Sequence, residues 1–452
     1  MITVSKPRHA RRTACLVGVA AALAAAGSLH AAPVLMISID GLRPADVLEA
    51  PSRGLRLPVL TGLVRDGAYA TGVRNVLPTV TYPDHTTLIT GVWPARHGVA
   101  NNTVFDPLRR GMGEWYWYAE DIRVPTLWDA VHDAGRPVAS LGWPVSVGAR
   151  GIDANIPEYW RAHDADDMKL ERALVTPGLE ASLRGDGGVA LADTGDTRPE
   201  SDVIKARDAA AIYRLRRPAF FTLHLSSLDQ VQHLTGPGSA ASHAALEQID
   251  AEVGEVIAAG RAVEPDLVVA IVSDHGFAPV EHDLNLATAF VNAGLITLDP
   301  QGRPIAWEAA PWPSGGSAGV VLARRNDEAL RGRVAALLAA LAADPASGVG
   351  RVIDRDQIKA LGGAPDMDFF VDAEIGYNFG AKLTGPLVTP GSEKGTHGYF
   401  PDHPEMRATL ILEGPGVPRH GALGDVDMRD IAPTLAKVLG VGLPTAEGAS
   451  LF

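Results

Sequence analysis

Cysteine is almost absent: the 452-residue chain has one, Cys15, close to its N-terminus. If that segment is removed as a leader, the remaining chain has no disulfide, no thiolate metal site and no cysteine nucleophile. Long apolar runs are missing too. Beyond residue 31, no stretch approaches the roughly 18 uninterrupted apolar residues that a membrane-spanning helix needs. Positive charge is scarce. There are 40 Lys and Arg against 53 Asp and Glu, a formal net charge of −13, and no lysine occurs between Lys6 and Lys169. A surface this acidic disfavours non-specific binding to nucleic acid or anionic lipid. Any attraction for an anionic substrate must therefore be local, and bound metal ions are one way to supply it.

The N-terminal segment is a different kind of polypeptide. Lys6, Arg8, Arg11 and Arg12 precede an Ala-rich apolar run from Thr13 to Leu29, and small residues follow at Ala31 and Ala32. That order predicts a signal peptide over 1–31, cleaved after Ala31, with export to the periplasm or out of the cell. Loss of its four positive charges takes the net charge from −13 to −17. The alternative, an uncleaved anchor, is disfavoured because the run is short and mostly alanine.

With 46% hydrophobic residues the chain can bury a large core. Short apolar runs alternate with helix-length amphipathic stretches, which predicts an α/β fold with a mostly parallel sheet. Strands are expected at Val34–Ile39, Pro137–Leu141, Phe220–Leu225, Leu267–Val272 and Thr409–Leu412. Helices are expected at Val59–Asp66, Thr126–Ala134, Val203–Leu215, Ala240–Ala259, Glu328–Ala342 and Asp430–Leu439. The stretch 279–389 is richer in Pro and Gly and has strand signals of its own at Gly319–Ala323 and Asp368–Asp372. It reads as a cap-like insertion into a catalytic core made of 32–278 and 390–452.

Three acidic residues share one setting. Asp40 ends VLMISID, Asp229 follows FFTLHL in SSLDQVQH, and Asp274 ends LVVAIVSD. In open α/β sheets, ligands collect beyond the carboxyl ends of the strands. One such acid alone is usually a turn or cap residue; three together suggest a site. Histidines stand beside two of them, as Asp229-x-x-x-His233, expected to span a tight loop, and as Asp274-His275-Gly276. His397, in KGTHGY, is a further candidate. Mixed nitrogen and oxygen ligands with one open position suit catalytic zinc. Asp229, His233 and His397 would hold one ion; Asp40, Asp274 and His275 would hold another, completed by a hydroxyl. His97, His224 and His403 are left as surface or structural residues.

The hydroxyl is expected from LPTVTYPDHTTLITG. Thr81 stands just ahead of a helix-like stretch, where free N–H groups and the helix dipole favour an anion. Metal coordination makes such a hydroxyl a competent nucleophile. Composition alone leaves Thr79 and Thr86 as rivals.

The segments IDGLRP, PTVTYPDHTTLITGVWPARHGVANN, DQVQH, SDHGF and KGTHGYFP resemble, in order, the site motifs of the nucleotide pyrophosphatase/phosphodiesterase branch of the alkaline phosphatase superfamily. The resemblance runs from about Val34 to Leu439. It implies an alkaline-phosphatase-like α/β/α sandwich and two Zn2+ per chain. The ligands would be Asp40, Thr81, Asp274 and His275 on one ion, and Asp229, His233 and His397 on the other. It selects Thr81 among the threonines as the nucleophile. It gives Asn102 the role of hydrogen-bonding a phosphoryl oxygen, and Tyr82 that of packing on the leaving group or base. Asp84 departs from the pattern, which more usually has asparagine there.

The activity implied is hydrolysis of phosphodiester or phosphoanhydride bonds in a small phosphate ester or nucleotide, through a covalent Thr81 intermediate. Monoesterases of this kind add cationic side chains; here the candidates are Arg150 and Lys394, so diesters are favoured. The alternatives are a phosphomonoesterase or phosphonate hydrolase on the same site, or a non-catalytic metal-binding envelope protein. The aromatic groups WYWY at 115–118 and Trp143-Pro144 are candidates for a pocket lining, against the ordinary reading as core.

Overall fold

The computed structural model describes residues 1–3, 31–111, 114–159, 165–186, 199–417 and 421–452. The expected leader falls on 1–31 and so lies almost wholly outside them. Among the described residues, no helix is long and apolar enough to cross a membrane.

The first strand shows how the layers arise. In β1 (Val34–Ile39) all six residues are buried. Leu35, Ile37 and Ile39 point into one apolar cluster, and Val34 and Met36 into another. Side chains alternate across a strand, so a strand apolar on both faces must be covered on both. On one side lie helices Pro58–Asp66, Pro199–Arg216 and Ala240–Val263, with Leu60, Ile212 and Val253 in the packing. On the other lie Thr81–Thr90, Leu127–Asp133 and Ile431–Leu439, contributing Leu88, Val131 and Leu435. The result is a three-layer α/β/α sandwich.

The other strands of its central sheet are β2 (Ala68–Arg74), β3 (Val138–Leu141), β4 (Ala154–Ile156), β5 (Phe220–Leu225), β6 (Val268–Val272), and two late strands, Leu410–Glu413 and Gly421–Asp427. From one edge the eight run Gly421–Asp427, β2, Leu410–Glu413, β6, β1, β5, β3, β4. β1 is central and parallel to both neighbours, with Val34 opposite Phe220 and Val268. Only Leu410–Glu413 is antiparallel to its neighbours. The carboxyl ends of β1, β5 and β6 therefore open on one edge, side by side. All five expected strands are present within a residue at each end. β2, β4 and Gly421–Asp427 were not anticipated, because AYATGVR and GALGDVD lack a sustained apolar run and β4 has only three residues.

Between β6 and Leu410–Glu413 the chain builds further sheets. Ala309–Ser314, Ser317–Leu322, Phe369–Ala373 and Val349–Asp354 form an antiparallel sheet in that order. Leu330, Val334 and Leu338 of helix Glu328–Ala342 join a separate apolar cluster with Val320, Val371 and Phe290.

Candidate active site

Asp40 follows the last residue of β1, and Asp274 lies two residues beyond β6. Asp229 and His233 sit one turn apart on the helix Ser227–Thr235, which follows β5. The tight loop expected to join them is thus a helix, whose i,i+4 spacing puts both side chains on one face. That helix is capped from elsewhere: the Asp202 carboxylate accepts from the Ser226 and Ser227 N–H groups at 3.2 and 2.9 Å. The buried Lys205 ammonium reaches both Asp202 and Ser226 Oγ. His397 comes directly after the short strand Gly395–Thr396.

These residues form two groups whose ligand atoms all lie within 4.8 Å of one another: Asp229, His233 and His397, and Asp40, Asp274 and His275. In the first, Asp229 Oδ1 is 3.4 Å from His233 Nε2 and 3.7 Å from His397 Nε2. In the second, His275 Nε2 is 3.4 Å from Asp40 Oδ1 and 3.2 Å from Asp274 Oδ2. The groups adjoin, since the His275 and His397 rings stack with centroids 3.5 Å apart.

The donor set suits a metal ion. Asp40 Oδ1, Asp229 Oδ1, Asp274 Oδ2 and His275 Nε2 are buried and have no hydrogen-bond partner among the described residues. Four orphaned polar atoms converging in two places are costly unless a cation satisfies them. The remaining atoms of the histidines are anchored. Nδ1 of His397 is held at the Thr79 carbonyl (3.1 Å), that of His275 at the Gly276 carbonyl (3.1 Å), and that of His233 at the Gly395 carbonyl (3.0 Å) and Glu393 (2.9 Å). Each anchor leaves Nε2 turned to its group, the outer-shell arrangement of metal-binding histidines. Burial pushes His275 down to about 4 and His397 down to about 3, so both rings are neutral and offer a lone pair. Burial, with Asp274 and Asp229 close by, pushes Asp40 well above the usual carboxylate range. Gly276 is required for the approach: a Cβ there would lie 2.0 Å from the Glu405 carbonyl oxygen.

Thr81 is the first residue of its helix, with Val80 as N-cap, and is 8% exposed. The segment is tied to both groups. Thr79 holds His397, while the Thr81 carbonyl accepts from His85 Nδ1 at 2.8 Å, and that nitrogen is 3.5 Å from Asp274 Oδ2. The rival hydroxyls are spent: Thr79 donates to the Tyr399 carbonyl and Thr86 to the Tyr82 carbonyl, each at 2.7 Å. Among the described residues no hydrogen bond fixes the Thr81 hydroxyl. Asn102 Oδ1 accepts the Tyr82 N–H at 2.9 Å, which fixes the oxygen end and leaves the NH2 group as the donor end.

Tyr82 departs from expectation. It is fully buried, in a cluster with Val99, Trp117, Val145 and Tyr159, and its hydroxyl donates to Glu158 at 2.9 Å. A ring enclosed in this way does not face a leaving group. Trp117 and Trp143 are likewise buried, as core. His224, taken as ordinary, is not. It lies buried on β5 between Asp40 Oδ2 (3.1 Å) and Glu158 Oε2 (2.8 Å). Burial opposes its charge, but the two carboxylates prevail and push it up to about 10. His97 and His403 have structural partners, Thr87 and Asp372. Of the candidate cations, Lys394 is exposed and its backbone N–H bonds the His233 carbonyl. Arg150 lines a surface depression with Glu120, Thr126 and Asp129 that includes no residue of the two groups.

Asp84 is fully buried; it accepts the Val76 N–H at 3.2 Å. Burial, then Asp274, pushes its carboxyl well above the usual range. The native state thus keeps a proton that the unfolded chain releases above about pH 4. Stability consequently falls as pH rises from there towards the folded-state pKa. Asp84→Asn, which has no proton to lose, is expected to raise Tm, and by more at about pH 8 than at about pH 5. Equal gains at the two pH values, or a loss at both, would contradict this.

The sequence model of the family described as Type I phosphodiesterase / nucleotide pyrophosphatase matches residues 34–400. Human ectonucleotide pyrophosphatase/phosphodiesterase family member 1 is 25% identical over 257 residues, covering 54% of this chain and 23% of that protein. The venom phosphodiesterase of Crotalus durissus collilineatus is 24% identical over 254 residues, 56% of this chain and 27% of that protein. The matches therefore span about a quarter of the length of these relatives. Among solved structures, murine ectonucleotide pyrophosphatase/phosphodiesterase 5, an inactive threonine-to-alanine form in complex with AMP, superposes with a TM-score of 0.64. It is 16% identical, and the match covers 92% of this chain and 97% of that one. The human form of that protein gives 0.62 at 17% identity, with the same coverage. The fold is alkaline-phosphatase-like, and the chain belongs to the Type I phosphodiesterase / nucleotide pyrophosphatase family.

Proposed function

We propose that this chain is a metal-dependent phosphohydrolase that cleaves phosphodiester or phosphoanhydride bonds in small phosphate esters or nucleotides, with Thr81 as nucleophile. The observation that carries the reading is the convergence of two ligand groups, one fully buried and one half-buried, each with an unpaired facing atom, beside the segment in which the Thr79 and Thr81 carbonyls hold His397 and His85. Asp40, Asp274, His275 and Thr81 are assigned to one ion, and Asp229, His233 and His397 to the other. Zinc is preferred because the donors are imidazole and carboxylate, with Thr81 completing one group and a position left open in the other. Bound there, two zinc ions would lower the pKa of the Thr81 hydroxyl and neutralise charge on the attacking and leaving oxygens.

The chain's own residues supply the rest. Thr81 Oγ attacks phosphorus in line, a Thr81–O–P bond forms, and the leaving alcohol departs with a proton. Water then cleaves that bond, returning the hydroxyl and releasing a phosphomonoester. The Asn102 NH2 donates to a non-bridging oxygen, its orientation set by the Tyr82 N–H. The helix beginning at Thr81 adds its dipole to the same end. A cavity of about 810 Å3 begins at Thr103, one residue beyond Asn102, and is walled by Phe105, Trp312, Pro313 and Leu383. None of the residues assigned to the ions lines it, and the preference for diesters rests on the lack of any lysine between Lys6 and Lys169. Export is proposed from the leader pattern alone.

The expected result is a kcat/KM at least about tenfold higher for bis(p-nitrophenyl) phosphate than for p-nitrophenyl phosphate, a difference of about 1.4 kcal/mol in transition-state stabilisation. A clear preference for the monoester would contradict the diester assignment and point to Lys394.

A further inference from the structure

Glu158 and His224 are buried ionisable residues that the mechanism above does not use. Glu158 stands two residues beyond β4 and is 4% exposed, and His224 on β5 is fully buried. One Glu158 oxygen accepts the Tyr82 hydroxyl at 2.9 Å, and the other meets His224 Nδ1 at 2.8 Å. His224 Nε2 in turn meets Asp40 Oδ2 at 3.1 Å, so that the other Asp40 oxygen, Oδ1, is the one that faces His275 Nε2. Tyr82 follows Thr81, and its N–H holds the Asn102 side chain. A single carboxylate is thus bonded, through different oxygens, to the chain that orients a proposed metal ligand and to the residue between the proposed nucleophile and the proposed substrate donor. His85 packs edge-on against His224, with centroids 4.4 Å apart, and holds the Thr81 carbonyl.

We infer that Glu158 is a positioning residue that couples the Asp40 metal group, through His224, to the Thr81–Asn102 segment, through Tyr82. The inference rests on the two-metal reading above. Both oxygens must accept: His224 Nδ1 carries a proton towards Glu158, and so does the Tyr82 hydroxyl. Glu158→Gln preserves volume but replaces one acceptor with an NH2 group, which cannot accept from either partner. One arm must break. Outer-shell partners of this kind are typically worth 10–100-fold in metal affinity or activity.

The test uses the full-length protein and zinc alone, with affinity measured by competition against a chromophoric chelator and kcat measured at saturating zinc. Glu158→Gln is expected to weaken one of two bound zinc ions about tenfold or more and to lower kcat with little change in KM. Tyr82→Phe should lower kcat with zinc affinity as in the wild type. Its effect should not add to that of Glu158→Gln, because the two share an arm. A Glu158→Gln protein with wild-type zinc affinity and wild-type kcat overturns the inference. So does one that loses only thermal stability while kcat per zinc-loaded molecule is unchanged. Should Glu158→Gln fail to fold, His224→Gln cuts Asp40 from Glu158, and unchanged zinc affinity there overturns it equally. Wild-type protein that takes up no zinc overturns the metal reading and the coupling with it, whereas a zinc-loaded wild type with unaffected variants overturns the coupling alone.

Discussion

Thr81→Ala is expected to cut turnover at least about a thousandfold, some 4 kcal/mol of transition-state stabilisation, while metal content stays near two ions per chain. The reason is the absence of a substitute. Thr79 and Thr86, the rival threonines, are both committed to carbonyl acceptors. Thr87 is held by the Val92 carbonyl and His97. Alanine is well tolerated at a first helical position, and the three carboxylates and three histidines of the two groups come from other elements. Folding and metal uptake should therefore survive, and steady-state kinetics with elemental analysis on the same sample checks both. Substantial activity in Thr81→Ala would remove Thr81 as nucleophile; loss of metal along with activity would make it a ligand first.

Exhaustive chelation is expected to abolish activity and lower Tm together, with both restored by zinc. The stability effect follows from the site's own electrostatics. Asp40 and Asp274 turn unpaired oxygens towards a shared space in which Asp229 also raises Asp40, and burial is the largest contribution to that rise. A cation relieves all of these at once. Binding to the folded chain alone adds about 4 kcal/mol when free metal is a thousandfold above Kd. Asp274→Ala should reproduce the loss of activity and leave one ion bound. Asp274 also accepts the Gly41 and His275 N–H groups, at 3.2 and 3.0 Å, so this variant should in addition lose stability that chelation does not remove. Differential scanning calorimetry with and without chelator separates the two contributions. Full activity after verified metal removal would contradict the assignment.

That the residues of the two groups would come together was legible in the sequence for a physical reason. β1, β5 and β6 are largely apolar runs because both faces are buried, and an acid at or shortly past the end of such a run stands at the sheet edge where ligands bind. What escaped is what depends on packing between distant segments. SSLDQVQH has no apolar periodicity, so its helix was read as a loop; the capping Asp202 is 24 residues upstream of Ser226. The family resemblance made Tyr82 a substrate contact, but its burial is produced by Trp117, Val145 and Tyr159, which no local pattern predicts. His224 did carry a signal. A histidine inside FFTLHL, where every residue is buried, needs polar partners on both ring nitrogens. Sequence alone could not name Glu158, which reaches it from across the sheet.

The central claim is a covalent Thr81 intermediate, and the stereochemistry at phosphorus tests it most directly. A phosphodiester analogue made chiral with sulfur, hydrolysed by the zinc-loaded wild-type enzyme in isotopically labelled water, should give product with net retention, because two in-line displacements each invert the centre. Net inversion would mean that water attacks phosphorus in a single step, and Thr81 would then be a ligand or a substrate contact but not the nucleophile.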